Sequence, residues 1–203
     1  MELYGILWDI IIAMDGSYIV GAGEVVQSLL RCFEERIYAY PSGRTSYGEW
    51  TAAVNVALRG LGETRGEIVY CSDGKPLFGE YLVNIMWWNP ATFRPDAVFE
   101  SEWKGIEEIL YDFEKLLYLK CSLKVLICDP PLGQRDRLIS ELVNRIKRYP
   151  DHVAGERYIV INVKGNPFGG ETECYEWNVP RNVEEAGLQF SMVAGSPFRY
   201  TFT

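Results

Sequence analysis

The chain contains only one histidine, His152, among its 203 residues. Zinc triads, Ser-His triads and Cys-His dyads all rely on imidazole groups, so this scarcity argues against all three chemistries. His152 follows a predicted helix and lies beside Asp151. We therefore expect its side chain at the protein surface.

Cysteines are few, and their spacing suggests no pairs. Their number, five, is odd, and no two of them lie two or three residues apart. This pattern predicts neither a zinc knuckle nor a disulfide framework. Cys121 and Cys128 flank an apolar, strand-like run, so buried thiols are expected.

Positive charge is also scarce, because 28 acidic residues outnumber 20 basic ones and the formal net charge is −8. Phosphate binding needs a basic face, so this balance argues against a protein that coats nucleic acid. It does not exclude a metal-dependent enzyme, since a bound divalent ion changes the local charge. One basic stretch is either a solvated helix face or a phosphate-contacting surface: Arg135, Arg137, Arg145, Lys147 and Arg148.

Long apolar runs are missing as well. The segment from Met1 to Val20 is apolar, but it carries Glu2, Asp9 and Asp15 and no basic residue, unlike a signal peptide. No run approaches the roughly 18 to 20 apolar residues that span a bilayer. We expect a cytoplasmic protein with no membrane partner.

The apolar pattern predicts one domain, residues 1–203, of the α/β (α+β) class, with a mixed sheet flanked by helices. Ser46 and Glu49 form a capping box that begins one helix, and Gly60 and Gly62 end it. The other predicted helices are 25–38, 106–119 and 138–149. The predicted strands are 67–71, 77–88, 96–103, 124–128, 157–163 and 174–179, with further strands within 1–23 and in the tail, 196–203.

The segment that points to chemistry is Phe99-Glu100-Ser101-Glu102-Trp103. Side chains alternate along a strand, so Glu100 and Glu102 project from one face with Cα atoms about 7 Å apart. Two carboxylates on a buried face are costly unless a cation lies between them. Mg²⁺ and Mn²⁺ prefer such oxygen ligands. The alternative is an ordinary solvated face of the sheet.

A family resemblance rests on these residues and their neighbours. Gly79 to Trp88 resembles the first hairpin strand of restriction-endonuclease-like (PD-(D/E)xK) nucleases, which often reads apolar-Asp-apolar-x-Trp. Phe99 to Trp103 resembles the second strand, in an E-x-E variant of the (D/E)-x-K element. Tyr111 to Leu117 and Lys124 to Ile127 resemble the helix and strand that follow. The similarity covers about residues 46–128 and implies a nuclease-like core at about residues 46–165.

The resemblance implies a Mg²⁺ or Mn²⁺ site that hydrolyses DNA phosphodiester bonds. It places metal ligands at Glu100, Glu102 and Asn84, with Glu49 as an auxiliary ligand. Glu102 would also take the catalytic place of the usual lysine, and Lys115 is the alternative source of that lysine. Asn84 departs from the family pattern, because the strand normally carries aspartate there.

Other readings of the same residues stay open. Glu49 needs no role beyond the capping box, and Asp112 and Lys115 can pair on a helix surface. The Trp87-Trp88 pair favours packing over base stacking. In a competing alignment, Pro95-Asp96 and Glu102-Trp103-Lys104 would match the residue letters of the PD-(D/E)xK motif. The segment between these two parts is too short to place them on two separate strands.

Two functions therefore compete at this point. The first is a divalent-metal-dependent nuclease with DNA as its partner. The second is a catalytically weakened or inactive nuclease-fold protein that serves as a binding or assembly module, which Asn84 and the acidic balance favour. Homodimers are common in the superfamily, but the sequence specifies no interface.

Overall fold

The computed structural model describes residues 22–38, 46–71, 82–163, 172–179 and 198–200. The helices in these ranges are α1 (Ala22–Phe33), which a π-helical turn (Glu34–Tyr38) extends, α2 (Tyr47–Thr64), α3 (Ile106–Tyr118) and α4 (Arg135–Arg148). The strands are β1 (Ile68–Cys71), β2 (Ile85–Asn89), β3 (Arg94–Glu102), β4 (Leu123–Cys128), β5 (Arg157–Val163), β6 (Thr172–Asn178) and β7 (Phe198–Tyr200).

All seven strands join one mixed sheet, in which the spatial order is the chain order. The pairs β1–β2 and β2–β3 are antiparallel, β3, β4 and β5 are parallel, and β6 and β7 are antiparallel again. The parallel pairs require crossovers, which α3 and α4 provide. The prediction of a single-domain mixed sheet flanked by helices is confirmed.

Two apolar clusters hold helices on opposite faces of the sheet. One cluster joins α1 and α2 to Phe99 of β3 and to Trp103, which follows that strand, and the other cluster joins α3 and α4 to Val98 of β3. β4 is buried along its whole length, as expected for a strand covered on both faces. Each residue of β3 therefore faces either the α1–α2 layer or the α3–α4 layer, according to its position in the alternation.

Some of the helices and strands predicted from the sequence are confirmed, and others are wrong. The capping box of α2 is confirmed, and the strands predicted at 157–163 and 124–128 match to within one residue. The prediction of one regular strand from Leu77 to Trp88 is wrong, because Leu82 has a φ of 66° and β2 begins at Ile85. Most of the predicted strand structure in 1–23 lies outside the described residues, and Ala22 and Gly23 begin α1 instead.

All five cysteines are buried, and the buried thiols expected at Cys121 and Cys128 are confirmed. None of the helices in the described ranges combines the length and apolar composition that a bilayer crossing requires.

Candidate functional site

The candidate site lies where the end of β3 meets α3. Val98 belongs to the cluster under α3 and α4, and strand alternation carries Glu100 to the same face. Ser101 points the other way, as do Phe99 and Trp103 of the α1–α2 cluster. The predicted shared face of Glu100 and Glu102 fits this alternation, and both side chains interact with groups on α3.

Glu100 is the centre of the site because its side chain is fully buried, with 0% of it exposed. One carboxylate oxygen, Oε1, contacts the ammonium group of Lys115 on α3. Within the described residues, Oε2 forms no hydrogen bond of good geometry. A buried carboxylate with an unsatisfied oxygen is expensive, so this position needs a further explanation.

Burial raises the pKa of Glu100 to about 8. The Lys115 ammonium opposes that rise, while the negative charge of Asp112 adds to it. Burial lowers the pKa of Lys115, but the hydrogen bonds to Glu100 and Asp112 together raise it by more than burial lowers it. The pKa of Lys115 therefore lies above its usual value. A cation close to Glu100 would lower the pKa of that carboxyl group and favour its charged form.

Asp112 is the site residue that sequence reasoning missed. It lies on α3, three residues before Lys115, and its Oδ1 is 2.9 Å from the Lys115 Nζ atom. Burial raises the pKa of Asp112, Lys115 opposes the rise, and the carboxylate of Glu102 adds to it. A pair on the helix surface was one interpretation of Asp112 and Lys115, but both side chains are largely covered and interact with β3. Asp112 therefore adds a third carboxylate to the cluster.

Glu102 turns back onto its own chain. Its Oε1 accepts hydrogen bonds from the backbone N–H groups of Trp103 and Lys104, each at 2.8 Å. The carboxylate still lies close enough to Asp112 to raise the pKa of that residue. Glu102 thus fixes the turn between β3 and α3, whereas Lys115 provides the ammonium group nearest Glu100.

Asn84 comes near the site, but its side-chain oxygen is occupied. Asn84 Oδ1 accepts hydrogen bonds from the Ser101 backbone N–H at 2.7 Å and from the Ser101 hydroxyl at 3.2 Å. The backbone N–H of Asn84 also acts on Glu100, where it partly offsets the raised pKa. Asn84 therefore lies beside the predicted ligand Glu100, although its amide oxygen serves to tie the start of β2 to β3.

Glu49 is not brought to the site. It is the third residue of α2, and its carboxylate accepts hydrogen bonds from Ser46 N at 2.6 Å and Ser46 Oγ at 3.0 Å. α2 packs on the face of the sheet opposite α3, where Trp50 contacts Trp103 at a ring distance of 5.4 Å. The structure thus places Glu49 in the capping role and separates it from Glu100.

The competing register does not assemble either. Asp96 lies four residues before Glu100, about 13 Å away along the strand. Its carboxylate accepts a hydrogen bond from Asn89 Nδ2 at 2.9 Å and lies beside Glu67, whose pKa is raised to about 7, chiefly by burial and then by Asp96. Lys104 is exposed, on the turn after Glu102. Neither residue joins the Glu100 cluster.

The basic stretch on α4 is mostly neutralised. Arg145 pairs with Glu114 at 3.0 Å and Glu141 at 2.8 Å, and Arg135 pairs with Glu173 at 2.6 Å. These ion pairs favour the interpretation of a solvated helix face over a phosphate-contacting surface.

The Trp87-Trp88 pair is explained in part by packing, because Trp87 is 1% exposed and its Nε1–H donates to the Leu58 carbonyl.

The side chain of His152 is buried, so its expected surface position is wrong. Its side chain is 1% exposed, and Nε2 lies 2.7 Å from the Ile146 carbonyl oxygen, which only accepts, so Nε2 carries a proton. Nδ1 lies 3.1 Å from the Tyr158 hydroxyl and 3.3 Å from Glu156. Lys124 Nζ, also buried, lies 3.0 Å from both Glu156 Oε2 and the Tyr158 hydroxyl. This second cluster lies at the amino ends of β4 and β5.

Across the ranges that the structure describes, no three His, Cys, Asp or Glu side chains are already arranged to hold a metal ion. The Glu100 cluster instead places an ammonium group between carboxylates. No protein-family model matches the chain, and no curated protein and no solved structure resembles it significantly. The site must therefore be interpreted from its own geometry.

Proposed function

We propose that the protein is a divalent-metal-dependent nuclease that hydrolyses DNA phosphodiester bonds at the Glu100 cluster. The observation that carries the proposal is the fully buried Glu100 carboxylate, which faces Lys115 and whose second oxygen forms no hydrogen bond of good geometry among the described residues. A buried acid beside a lysine and a second acid is costly to maintain for stability alone. Such perturbed groups are concentrated at functional sites.

The order of the elements supports the same proposal. The resemblance implies a helix, a hairpin, a helix and a following strand around the acids, and the described chain runs α2, β1, β2, β3, α3, β4. The E-x-E segment is the end of β3, at the centre of that order. Because one fold can host unrelated functions, the argument rests on the site rather than on the fold.

The residues present fit a magnesium or manganese ion. Mg²⁺ commonly binds through one or two carboxylates together with water and substrate phosphates, so it needs no complete protein cage. Glu100 and Asp112 would hold the ion, because Oε2 of Glu100 is unsatisfied and Asp112 lies next to it. When bound, the ion would lower the pKa of a coordinated water and offset charge at phosphorus.

Roles for the remaining residues follow from their contacts. We propose that Lys115, rather than Glu102, supplies the ammonium group that the family places on the second strand, because Lys115 contacts Glu100 directly. Its positive charge would stabilise negative charge on the phosphate and position the attacking water. Glu102 would act as a positioning residue, since it holds the Trp103 and Lys104 N–H groups.

Metal binding is tested by thermal unfolding with Mn²⁺ and with EDTA. Mn²⁺ should raise the midpoint for the wild-type protein, by about 2 to 4 °C for a domain of this size if binding stabilises it by about 1 kcal/mol. The Glu100→Gln variant should show no such shift. The matched control is Glu107→Gln on the exposed side of α3, where 79% of the side chain is accessible. An unfolding midpoint of the wild-type protein that does not change when Mn²⁺ is added would contradict the metal site.

Catalysis is tested with supercoiled plasmid and Mn²⁺. Lys115→Met should slow nicking at least a hundredfold, the scale of losing one preorganised electrostatic group, while Lys147→Met, an exposed lysine on α4, should behave as wild type. Equal rates for the two variants would remove Lys115 from the mechanism.

A second function, a nuclease-fold binding module without cleavage, is favoured by one observation. The Asn84 oxygen is already taken by Ser101, and an amide adds no negative charge for a metal. This alternative predicts no cleavage by the wild-type protein at any metal concentration. Asn84→Asp should then strengthen Mn²⁺ binding, and an unchanged affinity would show that position 84 takes no part in the metal site.

A further inference from the structure

Two exposed tyrosines lie on either side of Lys115 along α3. Tyr111 is 67% exposed and Tyr118 is 68% exposed. Single exposed aromatic residues are common on protein surfaces, but these two share one stripe with the ammonium group of the Glu100 cluster. The Lys115 Nζ atom lies 5.9 Å from the centre of the Tyr111 ring, within the range of a cation–π contact. The stripe formed by Tyr111, Lys115 and Tyr118 therefore borders the candidate site.

Helix geometry sets the spacing of these three residues. At about 100° and 1.5 Å per residue, they lie within an arc of about 60°, and Tyr111 and Tyr118 are about 10.5 Å apart along the axis. Lys115 lies between them, about 6 Å from Tyr111 and about 4.5 Å from Tyr118 along the same axis. Long side chains of a helix lean in the same direction, towards its amino end, so their spacing follows that of the backbone. Each ring is thus placed to take a separate flat group.

The stripe is accessible at its centre and fixed at one end. Lys115 has 28% of its side chain exposed, whereas Glu100 beneath it is fully buried. Tyr118 contacts Tyr149, with ring centres 5.8 Å apart and ring planes at 81°. A side chain that is already held in place loses little freedom when a ligand binds to it. A ligand that covers both rings passes over Lys115.

The charge on α3 limits what that ligand can be. Lys115 is the one basic residue of this helix, which also carries four acidic residues, Glu107, Glu108, Asp112 and Glu114. Proteins that bind along a duplex neutralise many phosphates with a basic face. One ammonium group between two aromatic rings instead fits one phosphate between two flat groups. Single-stranded nucleic acid offers this arrangement, because its bases stack on aromatic side chains.

The spacing of the rings favours a single strand for a second reason. Stacked bases along one strand are about 3.4 Å apart, whereas the two rings are about 10.5 Å apart along the helix. Bases that lie on the two rings are therefore unstacked on either side of the phosphate. In a duplex this separation also requires unpairing, and the cost is least for a strand that is already single.

We propose that α3 binds single-stranded DNA, with one phosphate at Lys115 and the two flanking bases on Tyr111 and Tyr118. This inference rests on the proposed nuclease function in one respect, because the phosphate at Lys115 is the one that the Glu100 cluster would cleave. It names the substrate class of that site as single-stranded DNA. Tyr111 and Tyr118 are positioning residues that hold the bases on either side of this phosphate.

Binding is tested by fluorescence anisotropy of the full chain with a labelled oligothymidylate and with a labelled hairpin duplex of similar length. The buffer contains Ca²⁺, which also takes carboxylate ligands, and a gel confirms that the DNA stays intact. The oligothymidylate should bind at least about tenfold more tightly than the duplex, which must unpair first. Equal affinities for the two would overturn the inference.

Substitutions then test the two rings. Tyr111→Ala and Tyr118→Ala should each weaken binding of the oligothymidylate at least about fivefold, the effect of losing one stacked base. Tyr111→Phe keeps the ring and should bind as the wild type does. The matched control is Tyr47→Ala, because Tyr47 is also an exposed tyrosine, at 59%, but lies on α2 across the sheet. Wild-type affinity in both α3 alanine variants would overturn the inference.

Salt dependence tests the single phosphate. One phosphate contact on a single strand gives a slope of about −0.7 for the logarithm of the binding constant against the logarithm of the NaCl concentration. A slope steeper than about −2 would mean that several phosphates are neutralised, and this result would overturn the proposed binding mode.

Cleavage in Mn²⁺ separates this inference from the nuclease proposal. Equal cleavage of single-stranded and duplex DNA, unchanged in Tyr111→Ala, would support the nuclease and overturn the inference. Binding that depends on Tyr111 and Tyr118, without cleavage by the wild-type protein, would overturn the nuclease and support the binding mode. Negative supercoiling favours strand opening, so supercoiled plasmid should be nicked faster than relaxed plasmid, and equal rates would count against a single-stranded substrate.

Discussion

Replacing Glu100 with glutamine should make the metal-free protein more stable near neutral pH, although the change removes an ion-pair partner of Lys115. The reason is the raised pKa of Glu100, about 8 in the folded protein against 4.5 for an ordinary glutamate. Between these two values the unfolded chain releases a proton that the folded protein keeps. The contribution of Glu100 to stability is therefore fully present below pH 4.5 and is lost as the pH rises towards 8.

The size of the effect follows from the same two values. Each pH unit in that window changes the free energy of unfolding by about 1.4 kcal/mol, so the whole window corresponds to about 5 kcal/mol at most. Glutamine keeps the shape and does not ionise. Lys115 retains Asp112 as a partner at 2.9 Å in the variant. The difference between variant and wild type should thus be small at pH 4.5 and grow steadily towards pH 8.

The assay is urea unfolding of both proteins in EDTA at half-unit steps from pH 4.5 to pH 8.5. The comparison of variant with wild type cancels other titrating groups, including Glu67, whose pKa is raised to about 7. Glu107→Gln, on an exposed site of α3, should follow the wild-type profile. Parallel profiles for Glu100→Gln and wild type would refute the reasoning, because Glu100 would then ionise as readily in the folded protein as in the unfolded chain.

Three further changes test other parts of the structure. Lys124→Met should destabilise the protein by about 3 to 5 kcal/mol in urea unfolding, because Glu156 would stay buried without its cation, and adding Glu156→Gln should restore most of the loss. Gly62→Ala should destabilise by about 1 to 3 kcal/mol despite its better helix propensity, since the new Cβ would lie 2.7 Å from the Trp87 indole nitrogen; a stabilised variant would contradict that packing. Glu49→Gln should leave the Mn²⁺ response unchanged, and a lost response in the thermal assay would return Glu49 to the metal site.

Sequence patterns predicted most of the regular elements because they follow local rules. The capping box at Ser46 and Glu49 requires only residues three apart, and the shared face of Glu100 and Glu102 requires only strand alternation. Such signals are complete within a few residues. They located α2 and the end of β3, and with them half of the candidate site.

The other half depends on contacts between distant residues, which periodicity does not encode. Lys115 is fifteen residues from Glu100 and on another element, so their contact depends on how α3 lies across the sheet. His152 was expected at the surface because it follows a helix, whereas its neighbour Glu156 is buried by pairing with Lys124, 32 residues earlier in the chain. One signal was available: Lys124 interrupts an otherwise apolar strand, which indicates a buried acid partner.

The sheet in which spatial order follows chain order has a consequence for how the protein forms. Among the residues that the structure describes, each strand pairs with the strands nearest to it along the chain, so none of these strands must wait for a distant segment before it pairs. Loops between partners stay comparatively short, and the entropy lost in closing them is modest. During synthesis, the growing edge of the sheet could accept each strand as it leaves the ribosome, and an incomplete chain would differ from the finished protein mainly by an open edge.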